Sequence, residues 1–91
     1  MLKVIRKQQA QPLYVAFTTQ NEQMSGWRVV ATGAIKSEVQ ANAEREICGD
    51  QWDGPKDIYV DTELKNLTVV SKSQALRNPA FRGVYRFWME N

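Results

Sequence analysis

The stretch that most constrains the fold of this chain is residues 26–49, GWRVVATGAIKSEVQANAEREICG. Its first half alternates in a way that predicts a strand over residues 27–32, followed by a sharp break at Gly33. Its second half predicts a helix over about residues 37–48. A strand that leads directly into a helix favours a sheet-and-helix architecture, and the rest of the chain is expected to supply further strands.

The predicted helix has signals at both ends and along one face. Ser37 and Gln40 have the spacing of a capping box, and Gly49 stands where a glycine commonly closes a helix. The apolar residues of one face are Val39, Ala43 and Ile47. Because this apolar stripe is narrow, we expect the helix to pack on a sheet rather than inside a helix bundle.

Further strands are predicted on both sides of this helix. Residues 13–19 are expected to pair with residues 27–32 in an antiparallel hairpin. Residues 57–61 and 67–71 are expected to form a second hairpin. Residues 83–89, GVYRFWM, alternate and predict a final strand with large side chains on both faces.

Three assignments keep an alternative or predict only a short element. Asp61 could cap a helix instead of ending a strand, although β-branched residues at 68–70 disfavour a long helix there. Residues 71–78 predict a helical turn that ends before Pro79. Residues 2–7 fit either a strand or a basic arm.

The predicted fold class is α+β, with an antiparallel sheet of about five strands and one principal helix (about 37–48) packed on one face. The 91 residues are expected to form a single small globular domain, since 43% are hydrophobic and 24% are charged. The single cysteine is typical of a reducing compartment. The chain lacks a signal-like apolar run and a stretch near the ~20 apolar residues that span a bilayer. These features predict a cytoplasmic protein without membrane contact.

Charge is segregated along the chain. Residues 1–37 and 64–91 each carry five basic side chains and one acidic side chain, whereas residues 38–63 carry eight acidic and two basic. If strands from the two ends pair with the middle, these charges mix on the surface. The other interpretation is a basic sheet face or edge and a separate acidic helix side, which would steer a charged partner.

The sequence carries no recognisable catalytic or metal-binding pattern. There is no histidine, which is the commonest general base and a common metal ligand. Cys48 has acidic neighbours in the chain, which disfavour a reactive thiolate, and it is expected to be structural. The carboxylates between residues 50 and 63 lack the spacing of a calcium loop. We therefore predict a protein that is not an enzyme and holds no cofactor or metal.

Aromatic and basic residues near the C-terminus are the best candidates for a contact surface. Arginine and aromatic side chains are enriched at the centres of protein interfaces, and they also stack on single-stranded nucleic acids. Trp52 adds an aromatic side chain in a polar turn. The candidate partner-binding residues are Arg82, Tyr85, Arg86, Phe87, Trp88 and Trp52.

The expected function is binding through protein–protein contact, as an accessory subunit or an inhibitor of the kind that phages and mobile elements encode. The alternative is a nucleic-acid-binding module that uses the basic and aromatic residues of the C-terminal segment. A net charge of +2 with an acidic middle segment is unfavourable for a general phosphate binder. The oligomeric state and the identity of the partner stay open.

Overall fold

The computed structural model describes residues 12–90, which form three strands and four α-helices. In chain order the elements are β1 (Tyr14–Thr18), β2 (Arg28–Gly33), α1 (Lys36–Cys48), a 3-10 turn (Gly49–Gln51), α2 (Ile58–Asn66), β3 (Thr68–Ser71), α3 (Lys72–Arg77) and α4 (Pro79–Glu90). The α+β class is confirmed, but the prediction of about five strands and one principal helix is wrong. The strand or basic arm considered for residues 2–7 lies outside the described residues.

The sheet is antiparallel, with β1 between β2 and β3. The hairpin predicted from residues 13–19 and 27–32 is confirmed as the β1–β2 pair. The strand predicted over residues 67–71 is confirmed as β3, but it pairs with β1 and not with residues 57–61. The central strand is buried because helices cover both faces of the sheet.

A β-bulge changes which side chains of β2 share a face. Ala16 opposes Ala31 and Phe17 opposes Val29, so Val30 is the additional residue in β2. Val29 therefore packs on the same side as Phe17, whereas Val30 and Ala31 pack on the other side with Ala16. Simple alternation would place Ala31 beside Val29, and the bulge overrides it.

The sheet is the middle of three layers. Val15 and Phe17 point to one face and pack against residues of α3 and α4, while Ala16 points to the other face and packs against α1. Helix α2 joins α1 through a cluster of Ile47, Cys48 and Val60. We call the two helical layers the α1–α2 layer and the α3–α4 layer. The expectation of helix packing on one face only is therefore corrected.

Residues 57–61 begin helix α2 and do not form a strand. The Asp57 carboxylate accepts the backbone N–H of Val60 at 2.9 Å and caps the helix. Val60 and Glu63 are buried at helical spacing. The run of β-prone residues favoured a strand, but the cap and the burial of one helical face prevail. The alternative of a helix capped by Asp61 is also wrong about where the helix begins, because α2 begins at Ile58.

Residues 83–89 belong to α4 and not to a strand. Pro79 occupies the first helical position, where its missing N–H is tolerated. The Asn78 side chain accepts the backbone N–H two residues further on at 2.8 Å. Phe81 and Tyr85 are buried one helical turn apart. In the sequence, large side chains occupy every position from 85 to 89, so the i, i+4 spacing of the buried residues does not stand out from its neighbours.

The predicted cap of the principal helix is wrong, although the helix itself is confirmed. Its N-cap is Ile35, which offers no side-chain hydrogen bond. Ser37 lies inside the first turn of α1. The Gln40 amide donates to the Glu44 carboxylate at 2.8 Å and does not return to the helix start.

The other helix signals agree with the structure. Gly49 follows α1 with a φ of 52°, and its N–H donates to the carbonyl of Arg45. The helical turn expected within residues 71–78 is confirmed as α3. Helix α3 begins with a capping box that is formed by Ser71 and Gln74.

Candidate functional site

Helix α4 separates the predicted contact residues that it carries. Tyr85 lies in the core with 2% of its surface exposed, whereas Phe87 is 71% exposed. Trp88 is half-buried and stacks on Tyr85, with ring centroids 6.1 Å apart. Arg82 and Arg86 are exposed. Tyr85 is therefore a core residue, while the other four reach the surface of the α3–α4 layer.

Trp52 lies apart from this group, in the α1–α2 layer after the 3-10 turn. The guanidinium of Arg45 stands 4.7 Å from its ring centroid. This cation–π contact accounts for the position of a tryptophan that is 37% exposed in a polar turn. The structure does not bring Trp52 together with the residues of α4.

A groove runs between the start of β2 and helix α4. It has a volume of about 720 Å³. Its lining residues are Trp27, Arg28, Val29, Gly83, Val84, Phe87 and Trp88. We call this surface the β2–α4 groove. Two of the predicted contact residues, Phe87 and Trp88, line it.

The strand wall of the groove is held by aromatic packing. Trp27 meets Phe81 edge to face, with ring centroids 5.0 Å apart, and Phe81 stacks on Phe17 at 4.2 Å. The indole N–H of Trp27 donates to the carbonyl of Met24 at 2.9 Å. The tryptophan is thus fixed both at its ring face and at its polar end, so this wall is ordered before any partner binds.

The helix wall of the groove contains a glycine. A Cβ at Gly83 would meet no atom within 4 Å, and the backbone there does not require a glycine. The absence of a side chain leaves room beside Phe87, which lies one turn further along the same row of α4. Gly83 therefore widens the groove without being required by packing.

Arg28 is the charged residue that lines the groove. Its Nη2 and Nε atoms donate to the two carboxylate oxygens of Glu63 at 2.9 and 3.3 Å. The side chain of Arg28 is 50% exposed, whereas that of Glu63 is 6% exposed. Because a guanidinium has five N–H donors, Arg28 keeps donors beyond those that bind Glu63.

Arg82 and Arg86 do not line the groove. They form one i, i+4 row of α4, while the groove is lined by the neighbouring rows that contain Gly83 with Phe87 and Val84 with Trp88. The two arginines have no ion-pair partner among residues 12–90. They contribute positive charge to the same layer from its outer surface.

The folded domain keeps the charges of the two helical layers apart. Residues 36–66, which include α1 and α2, carry eight acidic and four basic side chains. Residues 72–90, which form α3 and α4, carry four basic side chains and one acidic. Because these layers cover opposite faces of the sheet, one side of the domain is acidic and the other is basic.

Within residues 12–90, the cysteine and the carboxylates considered for catalysis or metal binding have structural roles. Cys48 is 4% exposed and packs between α1 and α2. The pKa of Asp57 lies below its usual 3.8. The largest cause is the hydrogen bond from the Gln51 side chain, and the hydrogen bond from the Val60 N–H lowers the pKa further. Within residues 12–90, no group of three or more His, Cys, Asp or Glu side chains is arranged to hold a metal ion.

Sequence reasoning missed the strand side of the groove. The alternation of residues 27–32 predicts a strand, but no local pattern places Trp27 and Val29 opposite residues of α4. In the sequence, Arg28 is one of five basic side chains of residues 1–37 and has no pattern that marks it for binding. The alternation of residues 83–89 predicts a strand that starts at Gly83. A helical interpretation of residues 79–90 would have shown the row shared by Gly83 and Phe87.

None of the helices in the described part of the chain has the length and apolar character needed to cross a membrane. We compared the chain with protein-family models, curated proteins and solved structures, and none of the three comparisons found a match.

Proposed function

We propose that this chain is a non-enzymatic protein-binding domain, and that the β2–α4 groove is its contact surface. The observation that carries this proposal is the composition and volume of the groove. Of its seven lining residues within 12–90, five have apolar or aromatic side chains, one is an arginine and one is a glycine. A domain of this kind would act as an accessory subunit or an inhibitor.

The physical argument rests on how interfaces obtain their affinity. Binding energy concentrates in a few aromatic and arginine side chains that are held in place before the partner arrives. Trp27 is held by Phe81 and by its hydrogen bond, and Trp88 is held by Tyr85. Phe87 offers a large apolar surface at the groove entrance. A partner side chain placed between them would lose water contact on several sides.

Nucleic-acid binding is the second candidate function, and the separation of charge favours it. The α3–α4 layer has four basic side chains and one acidic, and Arg82 and Arg86 point outward from it. Such a layer can contact phosphates. The groove supports protein binding more strongly, because its lining is mainly apolar and includes one cation among the described residues.

A matched pair of variants tests the proposed contact surface. Gly83→Leu adds a side chain where the structure has space, so the variant should fold with its groove filled. Ala41→Leu makes the same kind of change at an exposed position of α1, in the opposite layer. Each tagged variant is used to capture proteins from a lysate of the source cell, with and without nuclease treatment.

We expect the wild type and Ala41→Leu to retain the same protein, and Gly83→Leu to lose it. Equal capture by the wild type and Gly83→Leu would place the contact surface elsewhere. If the captured material disappears after nuclease treatment, and if Arg82→Ala with Arg86→Ala lowers the slope of log affinity against log salt by roughly 0.7–0.9 per lost phosphate contact, nucleic-acid binding replaces the proposal.

A further inference from the structure

Strand β2 lies at the edge of the sheet, directly beside the β2–α4 groove. It pairs with β1 on one side, and among residues 12–90 no strand lies on its other side. The strand contributes Arg28 and Val29 to the groove lining. An edge strand presents backbone N–H and C=O groups that can pair with an incoming extended chain.

The hydrogen-bond pattern shows which residues of β2 direct their backbone outward. The Ser71 N–H lies opposite Tyr14 but donates to the Gln74 side chain at 3.0 Å. The next N–H, that of Lys72, donates to the Leu13 carbonyl at 2.9 Å. Leu13 itself precedes β1, and its own N–H donates to the Gly33 carbonyl at 3.1 Å. Within β1, odd-numbered residues therefore bond toward β3 and even-numbered residues bond toward β2. The even-numbered residues oppose Arg28, Ala31 and Gly33.

The residues of β2 that alternate with these three direct their backbone N–H and C=O groups away from β1. Val29 and Thr32 therefore point their N–H and C=O groups to the outer edge of the sheet. Val29 also places its side chain in the groove. The outward backbone groups and the apolar lining thus occur together at the same end of β2.

We propose that the β2–α4 groove receives an extended segment of a partner protein with alternating apolar and acidic residues, which pairs with β2 and becomes a fourth strand of the sheet. This inference rests on the proposed function and specifies its binding mode and ligand chemistry. Main-chain hydrogen bonds to β2 would supply affinity, and the groove would select alternate side chains.

The apolar half of this pattern follows from the geometry of a sheet. An added strand lies about 4.8 Å from β2, and its side chains point alternately to the two faces. The side chains on the α4 side would meet Val84, Phe87 and Trp88. Gly83 leaves space at this point for a side chain of the incoming segment.

The acidic half follows from charge. None of the lining residues that the structure describes is acidic, and Arg28 keeps N–H donors for a carboxylate. The adjoining α3–α4 layer is basic. The same charges disfavour a second copy of the chain as the occupant, because β2-to-β2 pairing would bring two Arg28 side chains and two basic layers together.

The first test selects ligands from a displayed library of random ten-residue peptides on the immobilised domain, with Gly83→Leu as the control surface. We expect enriched peptides to alternate apolar and acidic residues and to bind Gly83→Leu at least about tenfold more weakly, a loss of about 1.4 kcal/mol. Enrichment of helical i, i+3, i+4 patterns or of basic peptides would contradict the inference. If no peptide is enriched while the capture experiment still depends on Gly83, this inference fails and the proposed function stands.

The second test addresses the backbone pairing. Methylation of the peptide nitrogens that face β2 should weaken binding by about tenfold or more, whereas methylation of the alternate nitrogens should have little effect. On the domain, Val29→Pro removes the outward N–H, and Val29→Ala keeps it, so the proline variant should lose more affinity. Equal effects of both methylation patterns would overturn strand addition even if Val29→Pro does not fold. A dimer that Gly83→Leu abolishes would make a second copy the occupant.

Discussion

In the described part of the chain, the Tyr85 hydroxyl is a buried polar group that makes no hydrogen bond. The residue is 2% exposed, and its hydroxyl has no hydrogen-bond partner within residues 12–90. The ring packs with Val15 and Phe17 in the core between the sheet and the α3–α4 layer. The ring therefore stabilises the fold, whereas the buried hydroxyl has lost contact with water without receiving a partner from the described part of the chain.

We expect Tyr85→Phe to raise the free energy of unfolding by about 1 kcal/mol, because it keeps the ring and removes the unpaired hydroxyl. Denaturant unfolding of the two proteins measures this difference. A clear loss of stability in the variant would show that the hydroxyl has a partner.

The same variant gives a pH-dependent readout. Burial raises the pKa of Tyr85 above its usual value of 10.0, so the folded state disfavours the phenolate. The stability that comes from keeping this hydroxyl protonated in the folded state is fully present below pH 10.0. It is lost as the pH rises from there toward the raised pKa. The wild type should therefore lose more stability than Tyr85→Phe above about pH 10, where the unfolded tyrosine begins to ionise. Parallel pH profiles would contradict this expectation.

At the scale of single elements, the helices differ in how their first turns are completed. Helix α3 is short, and its start has a full capping box between Ser71 and Gln74. Helix α1 is longer but begins at Ile35 without a side-chain cap. A short helix has few internal hydrogen bonds, so the cap is a larger part of its local stability.

We expect Ser71→Ala to lower the free energy of unfolding by about 1 kcal/mol, because it removes the cap of α3. Ser37→Ala is the matched control, since Ser37 is exposed inside the first turn of α1 and makes no capping hydrogen bond. It should change stability by less than about 0.5 kcal/mol. Both values come from chemical denaturation. A larger cost for Ser37→Ala than for Ser71→Ala would restore the capping role predicted from the sequence.

At the scale of the whole molecule, polar contacts attach α2 to the sheet. The Thr18 hydroxyl donates to the Glu63 carbonyl at 2.6 Å, and the Asn66 amide donates to the Thr19 carbonyl at 2.9 Å. The Arg28–Glu63 ion pair adds a link between β2 and α2. These contacts complement the apolar cluster between α1 and α2.

A double-mutant cycle with Arg28→Met and Glu63→Gln should give a coupling energy of about 1–2 kcal/mol. Arg28→Met alone should be the more destabilising change, because it leaves the buried Glu63 carboxylate without its partner. The half-exposed position of Arg28 keeps the coupling below that of a fully buried pair. Additive effects of the two substitutions on unfolding would show that the pair does not link the two elements.

The region from residue 13 to residue 49 could be predicted because its signals are local. Two alternating segments separated by a polar loop indicate a hairpin, and the spacing of Val39, Ala43 and Ile47 indicates a helix that Gly49 ends. Each of these patterns is complete within a few residues. The α+β class followed from them.

The second half of the domain was decided by tertiary packing. The segments 57–61 and 83–89 are rich in β-prone residues, but such preferences span only about 1 kcal/mol. Burying large apolar side chains such as Phe81 and Tyr85 is worth about 1.5–3 kcal/mol each, and a helix on the open face of the sheet achieves it.

The sequence by itself determined the local elements around α1 and the chemical types available for binding. Only the tertiary structure decided that Phe87 and Trp88 face Trp27 and Val29 across a groove, while Arg82 and Arg86 lie on a neighbouring row. The reason is that a local pattern specifies which face of an element is apolar but not which element that face will meet. That choice depended on packing such as the aromatic stack of Phe17 and Phe81, which sets α4 against the face of the sheet.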